Sequence, residues 1–401
     1  MGLVKVLKTS RRCGDIYRKV WLPDNVSMVH CELSTFCNAA CPSCPRFFSG
    51  THVVRSGVTL AQVTIDQFKN WFEPEFIENV REWKFCGTHG DPMMAKDVVK
   101  IIRYIFDINP QTNITVNTNG GIRNEQDWQT LGKISSNHKL KIEFSVDGLE
   151  DTNHLYRRNV DWTKLMSNAQ SYINAGGCAH WEFLTFRHNE HQIEEAKALS
   201  KELGFKMFLQ KRAVGFEHNG ELTDMPVFNT DGEYDYSILP PLNSEYRMSK
   251  ISLEKIIDRR RDNLTNYYKE NINSGNDKFE EIVSNFKDTI KSDNVVINCN
   301  SKKGKKSEIY INVNGIVFPC CFIGTSIDAF DSQPNALQLK TRLREYGVDN
   351  FDLNKKSITK ILNENHLNQF ASNDWDTPKC LEFCKKTCGN SQIMKDIYDI
   401  E

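Results

Sequence analysis

The sequence has no long apolar run and no excess of charge of one sign. Its 401 residues include 51 Lys and Arg against 52 Asp and Glu, a formal net charge of −1 at pH 7. A membrane-spanning helix needs about 20 apolar residues in succession, so none is predicted, and no charged-then-apolar leader is found. A nearly neutral chain also lacks the overall field that attracts nucleic acid. We therefore expect a cytoplasmic protein, with neither membrane nor nucleic acid among its partners.

Cysteine, by contrast, is abundant for a chain without an export signal. Of the 13 cysteines, three lie between residues 37 and 44 and six in the last quarter. In a reducing cytosol, clustered thiols are more often metal ligands or catalytic groups than disulfides. The four scattered cysteines are expected to be small buried side chains: Cys13, Cys31, Cys86 and Cys178.

Short β-rich runs alternate with amphipathic segments between residues 28 and 212. Six of these runs predict strands: Val29–Leu33, Trp83–Phe85, Ile114–Val116, Ile142–Val146, Trp181–Phe186 and Lys206–Leu209. Six βα units in succession predict a parallel sheet with right-handed crossovers, and six strands are too few for a closed eight-stranded barrel. We therefore predict an α/β fold with a partial (β/α)6 TIM-like barrel; a doubly wound open sheet is the alternative.

The alternation of β-rich runs and amphipathic segments stops after residue 212. The chain is predicted to have four parts. These are an N-terminal extension (1–27), the barrel (28–212), a mostly helical bridging or substrate region (213–295) and a small C-terminal α+β unit (296–401). In the last part, Asn314-Gly315 lies between two β-rich runs, a pattern typical of a β-hairpin.

Three cysteines follow the first predicted strand directly, at Cys37, Cys41 and Cys44. Thiolates with gaps of three and two residues suit one face of a cubane iron–sulfur cluster, and they leave its fourth iron open to a further ligand. A structural zinc ion requires four ligands, and this loop contains no fourth Cys or His. The loop therefore predicts a [4Fe–4S] site, whereas a zinc site would need a remote ligand.

This loop resembles the Cys-x3-Cys-x2-Cys signature of the radical S-adenosylmethionine superfamily. Gly87-Thr-His-Gly-Asp-Pro92 is similar to that family's Gly-Gly-Glu-Pro segment, whose backbone binds the methionine amino group. All the matching segments end predicted strands, where sheets of this class place their active sites. The resemblance implies these cofactor-binding residues: Gly87, Thr88, His89, Gly90, Asp91, Asn117, Asn119, Ser145, Asp147, Arg157 and Arg158.

The resemblance also assigns roles within this set. Ser145 or Asp147 is implied to hold the ribose hydroxyls, and an arginine to pair with the methionine carboxylate, which its forked donors match in shape. Arg157 is preferred to Arg158 for that pairing. The position before the last loop cysteine is usually aromatic in the family, but here it is Ser43, so Phe36 or Phe47 is expected to contact the adenine.

The last hundred residues resemble the twitch or SPASM extensions of the superfamily, which hold auxiliary clusters. The resemblance implies one auxiliary [4Fe–4S] cluster on Cys299 and Cys320, completed by two of Cys380, Cys384 and Cys388. Cys321 is an alternative ligand to its neighbour Cys320, or a packing residue. The same thiolates also suit zinc, because thiolate sets accept both metals.

The resemblance implies an oxidoreductase-type enzyme with S-adenosylmethionine and iron–sulfur clusters as cofactors. Such an enzyme cleaves S-adenosylmethionine to a 5′-deoxyadenosyl radical, abstracts hydrogen from a C–H bond, and oxidises or cross-links a peptide or small molecule. It needs an external one-electron donor, and a separate protein would deliver any leader peptide. The alternatives are a methyl- or sulfur-transfer enzyme of the same superfamily, or a zinc-binding scaffold without catalysis.

Overall fold

The protein is described by a computed structural model that covers residues 21–48, 50–218, 221–247, 256–257, 307–329, 334–372 and 384. Several predictions fall outside these residues. They concern most of the N-terminal extension, most of the stretch from 248 to 295, and three candidate ligands: Cys299, Cys380 and Cys388.

Six parallel strands, hydrogen-bonded in chain order, form the centre of the fold. They are β1 Val26–Cys31, β2 Glu82–Cys86, β3 Asn113–Thr118, β4 Lys139–Ser145, β5 Cys178–Thr185 and β6 Met207–Arg212. The helices between them are α1 Ile65–Trp71, α2 Pro74–Asn79, α3 Val98–Ile108, α4 Glu125–Ser135, α5 Asn153–Tyr156, α6 Trp162–Asn174 and α7 Ile193–Glu202. The predicted α/β partial barrel is confirmed.

Apolar side chains that alternate along the strands pack against the helices. Ile142 and Phe144 on β4 are fully buried, and the Phe144 ring lies 5.2 Å from the ring of Trp128 on α4. The interleaved positions of the same strand are polar, because they face the inside of the barrel. Sheet and helices thus bury one side of each strand and leave the other side to line the barrel.

The described part of the region 213–295 contains strands where a mostly helical region was predicted. The strands are β7 Glu217–His218, β8 Glu221–Thr223, β9 Met225–Phe228, β10 Tyr234–Ile238 and β11 Ile256–Ile257. β9 and β10 pair antiparallel. Val, Phe and Tyr favour extended backbone, and Gly232 supplies the positive φ (+80°) of the turn between β9 and β10. These local preferences explain the difference.

A hairpin formed by β12 Ser307–Ile311 and β13 Val317–Phe318 confirms the hairpin predicted at Asn314-Gly315. Gly315 has a φ of +82°, which the turn requires. β12 also pairs in parallel with β1, with Val29 opposite Ile309. The main sheet therefore has eight strands in the order β13-β12-β1-β2-β3-β4-β5-β6.

Among the residues described after the hairpin, four helices lie at Cys321–Ala329, Pro334–Glu345, Ile358–Asn363 and His366–Ser372. Their apolar side chains join the same hydrophobic core as the barrel. Within the parts of the chain that the structure describes, no helix has both the length and the apolar character needed to span a bilayer.

Candidate active site

The three predicted cluster ligands lie on one irregular loop after β1. Cys41 is buried, and Cys37 and Cys44 are half-buried; all three are free thiols. The amide of Cys44 donates to the carbonyl of Cys41 at 3.1 Å, which closes a turn between these two residues. The amide of Ala40 donates to the carbonyl of Arg158 at 3.0 Å and ties the loop to the segment after β4.

The thiols of this loop are protonated in the absence of a cation. Burial is the main cause that raises the pKa of Cys37 and Cys41 and brings the pKa of Cys44 to about 12. Two donors contact the sulfurs: Arg157 Nη1 lies 3.6 Å from Cys41 Sγ, and Asn119 Nδ2 lies 3.7 Å from Cys37 Sγ. A coordinated metal deprotonates a thiol outright. Three free thiols on one loop, two of them with polar donors at the sulfur, therefore fit an iron–sulfur cluster.

The segment from Gly87 to Pro92 folds back against the start of this loop. A Cβ on Gly87 would lie 1.7 Å from the carbonyl oxygen of Gly90, and a Cβ on Gly90 would lie 2.2 Å from the carbonyl oxygen of Ser34. The amide of Asp91 donates to the carbonyl of Phe36 at 2.8 Å. Both glycines are thus required by close backbone approach, and the segment presents its backbone beside the cysteine loop.

His89 lies in the middle of this segment with an unsatisfied ring. The side chain is 1% exposed, and neither ring nitrogen has a partner among the described residues. Its amide donates to Glu32 Oε1 at 2.5 Å, while burial lowers the pKa of His89 to about 4 and keeps the imidazole neutral. Buried polar groups normally have partners. The unpartnered ring therefore fits a site that receives a polar ligand.

The Asp91 carboxylate links the ends of β2 and β3. Its Oδ1 accepts from the amide of Met93 at 2.9 Å, and its Oδ2 accepts from Thr118 Oγ1 and from both the amide and Nδ2 of Asn119. Asn119 Nδ2 also donates to Asn38 Oδ1 at 2.8 Å. Since four internal bonds occupy Asp91, its side chain positions Asn119 beside the cysteine loop.

Arg157 and Asp147, which were predicted as separate cofactor-binding residues, form an ion pair with each other. Arg157 Nε donates to Asp147 Oδ2 at 2.6 Å, and the amide of Leu184 donates to Asp147 Oδ1 at 2.7 Å. Arg157 Nη1 lies beside Cys41 Sγ of the cysteine loop. Arg158 instead donates to the carbonyl of Phe228 at 3.0 Å. Of the two arginines, Arg157 is thus the one beside the candidate cluster.

Polar side chains line the barrel below these segments. Asn117 Nδ2 donates to Glu143 Oε2 at 2.7 Å, and Lys141 pairs with Glu143 Oε1 at 2.6 Å. Glu182 pairs with Lys211 on the next strand. Ser145 is half-buried at the end of β4, and Thr88 lies beside Tyr310 on β12. The barrel interior is therefore charged and hydrogen-bonded.

Sequence reasoning missed the aromatic ring nearest Ser43. The hydroxyls of Ser43 and Tyr156 are 2.5 Å apart, and the buried Tyr156 ring lies 4.4 Å from the ring of Phe186. Phe36 and Phe47 were predicted for this position, whereas Tyr156 was not. A buried tyrosine next to a site arginine was the available signal.

Three of the predicted auxiliary-cluster cysteines are described. Cys320 follows β13, Cys321 is the first residue of the next helix, and both are half-buried against the core. Cys384 is buried in the same core. Their joint ligation with Cys299, Cys380 and Cys388 stays a prediction.

Residues 299–389 match the SPASM family, an iron–sulfur cluster-binding domain. The matched range starts at Cys299 and includes all six C-terminal cysteines. The C-terminal part thus matches a SPASM domain, and the predicted resemblance to SPASM extensions is confirmed.

Several solved structures are similar to this chain at low sequence identity. Streptococcus suis SuiB bound to S-adenosylmethionine is 11% identical with a TM-score of 0.43, and the match covers 74% of this chain and 61% of SuiB. SuiB bound to the precursor peptide SuiA is 13% identical with a TM-score of 0.43, and the match covers 78% of this chain and 62% of SuiB. anSMEcpe with bound AdoMet is 15% identical with a TM-score of 0.47, covering 93% of this chain and 88% of anSMEcpe. This chain therefore spans less than two thirds of SuiB, and no curated protein matches it.

Proposed function

We propose, from the SPASM domain at residues 299–389 and the three-cysteine loop, that this chain is a radical S-adenosylmethionine enzyme. It cleaves S-adenosylmethionine reductively and abstracts hydrogen from a C–H bond, in an oxidative or cross-linking modification of a peptide or small molecule. One observation carries the proposal. Three free thiols, one buried and two half-buried, lie on one loop at the carboxyl end of a parallel sheet, with Arg157 contacting the sulfur of Cys41 and Asn119 that of Cys37.

Cys37, Cys41 and Cys44 would hold a [4Fe–4S] cluster with one iron open to S-adenosylmethionine. When bound, the cluster supplies the electron that cleaves the sulfonium, and an external donor replaces that electron. The protein's own residues bind, orient and shield. The backbone around Gly90 is placed for the methionine amino group, and the free edge of Arg157 for its carboxylate.

The remaining contacts follow from the ends of the next strands. Ser145, at the end of β4, has a hydroxyl suited to the ribose, since both Asp147 oxygens already accept hydrogen bonds. The Tyr156 ring beside Ser43 is the aromatic surface for the adenine, a role expected from Phe36 or Phe47. The burial of the Tyr156 ring would exclude water from the reacting atoms.

The substrate is proposed to be a polar molecule that enters the barrel. The interior carries charged pairs, Lys141 with Glu143 and Lys211 with Glu182, instead of an apolar lining. Peptide backbone and small polar metabolites can exchange hydrogen bonds with such groups, whereas a lipid chain would leave them unpaired. The auxiliary cluster of the SPASM domain is proposed to accept the electron of an oxidised substrate.

The test compares variants of the full chain after anaerobic reconstitution. Replacing Cys37, Cys41 and Cys44 together by Ala should remove about four irons and abolish 5′-deoxyadenosine formation, while about four irons of the auxiliary cluster remain. Cys178→Ser is the matched control, because this thiol lies on β5 away from the loop, and it should change neither quantity. Formation of 5′-deoxyadenosine by the triple variant with dithionite would end the proposal.

The auxiliary cluster has a separate test. Replacing Cys299 and Cys320 by Ala should remove the second set of about four irons and stop substrate turnover, while cofactor cleavage partly survives. Zinc without sulfide in the triple variant would contradict the auxiliary cluster but leave the barrel assignment standing.

A further inference from the structure

Three potential metal ligands converge inside the barrel, outside the cysteine loop. One ligand atom each of His30 on β1, Glu308 on β12 and Cys321 at the next helix start lie within 4.8 Å of one another. His30 is buried, and the other two are half-buried. The parallel pairing of β1 with β12 brings His30 and Glu308 together, and the hairpin returns the chain to Cys321.

The histidine is oriented as a metal ligand usually is. His30 Nε2 lies 3.1 Å from the carbonyl oxygen of Cys86, and the ring meets the edge of the Tyr310 ring at 5.0 Å. A carbonyl oxygen only accepts, so Nε2 carries the proton and Nδ1 keeps its lone pair. A hydrogen bond from one ring nitrogen to a carbonyl commonly fixes the tautomer of a metal-binding histidine.

The other two candidate ligands, Glu308 and Cys321, have no side-chain partner among the described residues. Among the described residues, no hydrogen bond or ion pair joins the Glu308 carboxylate or the Cys321 thiol to another side chain, and the Cys321 sulfur contacts only its own backbone amide. Lys84 on β2 acts on both groups electrostatically. Two half-buried acidic groups beside an imidazole held by a hydrogen bond offer three ligand atoms to one cation. A carboxylate and a thiolate together balance a divalent ion.

We propose that His30, Glu308 and Cys321 bind one Zn²⁺ ion, separate from both iron–sulfur sites. Nitrogen, oxygen and sulfur ligands all suit zinc, and their bond lengths place tetrahedral ligand atoms about 3.4–3.7 Å apart. The three ligand atoms lie within 4.8 Å of one another, so side-chain rotations that move an atom by roughly 1 Å bring them to this spacing. Three protein ligands leave a fourth position for water or a substrate atom. Cys321 then serves zinc, and its neighbour Cys320 serves the auxiliary cluster.

The experiment measures zinc, iron and sulfide in the anaerobically reconstituted full chain after Zn²⁺ addition and removal of loose metal with a weak chelator. The wild type should retain about one zinc per chain. His30→Ala and Cys321→Ser should each lose it with iron and sulfide unchanged, and Glu308→Gln should weaken zinc binding at least about tenfold. The control is Cys178→Ser, whose thiol lies 3.9 Å from His180 Nε2 without a third ligand, and it should keep the zinc.

Co²⁺ provides a spectroscopic check of the thiolate ligand. The charge-transfer band of a Co²⁺–thiolate bond should appear in the wild type and in Cys178→Ser, and disappear in Cys321→Ser. If His30→Ala does not fold, as judged by circular dichroism, Cys321→Ser and Glu308→Gln decide the matter. Loss of about four irons from Cys321→Ser would make Cys321 an auxiliary-cluster ligand and overturn the proposal. A wild type without retained zinc, or zinc retained by every variant, would overturn it too.

Discussion

Replacing Arg157 by Ala should damage stability and cofactor binding by two separable routes. The side chains of Asp147 and Arg157 are 1% and 17% exposed, so solvent screens their ion pair little. Burial alone raises the pKa of Asp147, and Arg157 opposes that shift. Removing one partner of a buried pair costs about 3–5 kcal/mol, because the other charge is left unpaired. Adding Asp147→Asn removes that charge and should recover most of the loss.

Cofactor binding should not recover with stability. A hydrogen bond to a charged group contributes about 1.5–3 kcal/mol, so loss of the Arg157 fork should weaken S-adenosylmethionine binding by about 10- to 150-fold. The double variant with Asp147→Asn should show the same weakening. Arg158→Ala is the control, since Arg158 donates to the Phe228 carbonyl and leaves the ion pair intact. Its affinity should stay near that of the wild type.

Anaerobic equilibrium dialysis gives the affinity, and urea unfolding gives the free energy of unfolding. Wild-type affinity in the Arg157→Ala, Asp147→Asn double variant would show that Arg157 only stabilises the fold. Equal weakening by Arg157→Ala and Arg158→Ala would reject the assignment of the carboxylate to one arginine.

Two further predictions concern the segment after β2 and the helix after the hairpin. Gly90→Ala should weaken S-adenosylmethionine binding at least about tenfold and cost about 1–3 kcal/mol of stability. The reason is that the new Cβ would lie 2.2 Å from the Ser34 carbonyl oxygen. Unchanged affinity would contradict the proposed role of the Gly90 backbone in binding. Asp328 accepts from Asn312, and burial raises its pKa to about 6 from 3.8, so its folded state holds a proton that the unfolded chain releases. Relative to Asp328→Asn, the wild type should therefore lose about 2 kcal/mol of unfolding free energy as pH rises from ~4 to ~7, and a difference independent of pH would refute this.

Local patterns were sufficient for the elements that depend on neighbouring residues. All six barrel strands lie where apolar β-rich runs occur, with ends displaced by at most three residues. The capping box from Thr64 to Gln67 forms at the start of α1, because both of its hydrogen bonds join residues of one turn. The order of the site segments followed from the strands alone, since parallel strands end on one edge of the sheet.

Contacts between distant segments could not be predicted in this way. The pairing of Val29 with Ile309 joins strands about 280 residues apart, and an apolar strand is compatible with either edge of a sheet. Similarly, no local sequence rule indicates that Asp147 and Arg157 form an ion pair with each other. The polar barrel lining did leave a signal, because Lys141 and Glu143 alternate with apolar residues on β4.

The position of β12 bears on how the protein can be divided for expression. β12 covers the edge of β1, and the cysteine loop begins six residues after β1 ends. A chain truncated before Ser307 would expose that edge, with free backbone donors and acceptors along an apolar strand. Such edges recruit other strands and promote aggregation. A truncated barrel is therefore expected to misassemble at the strand that precedes its cysteine loop, so the barrel should be produced only together with the hairpin.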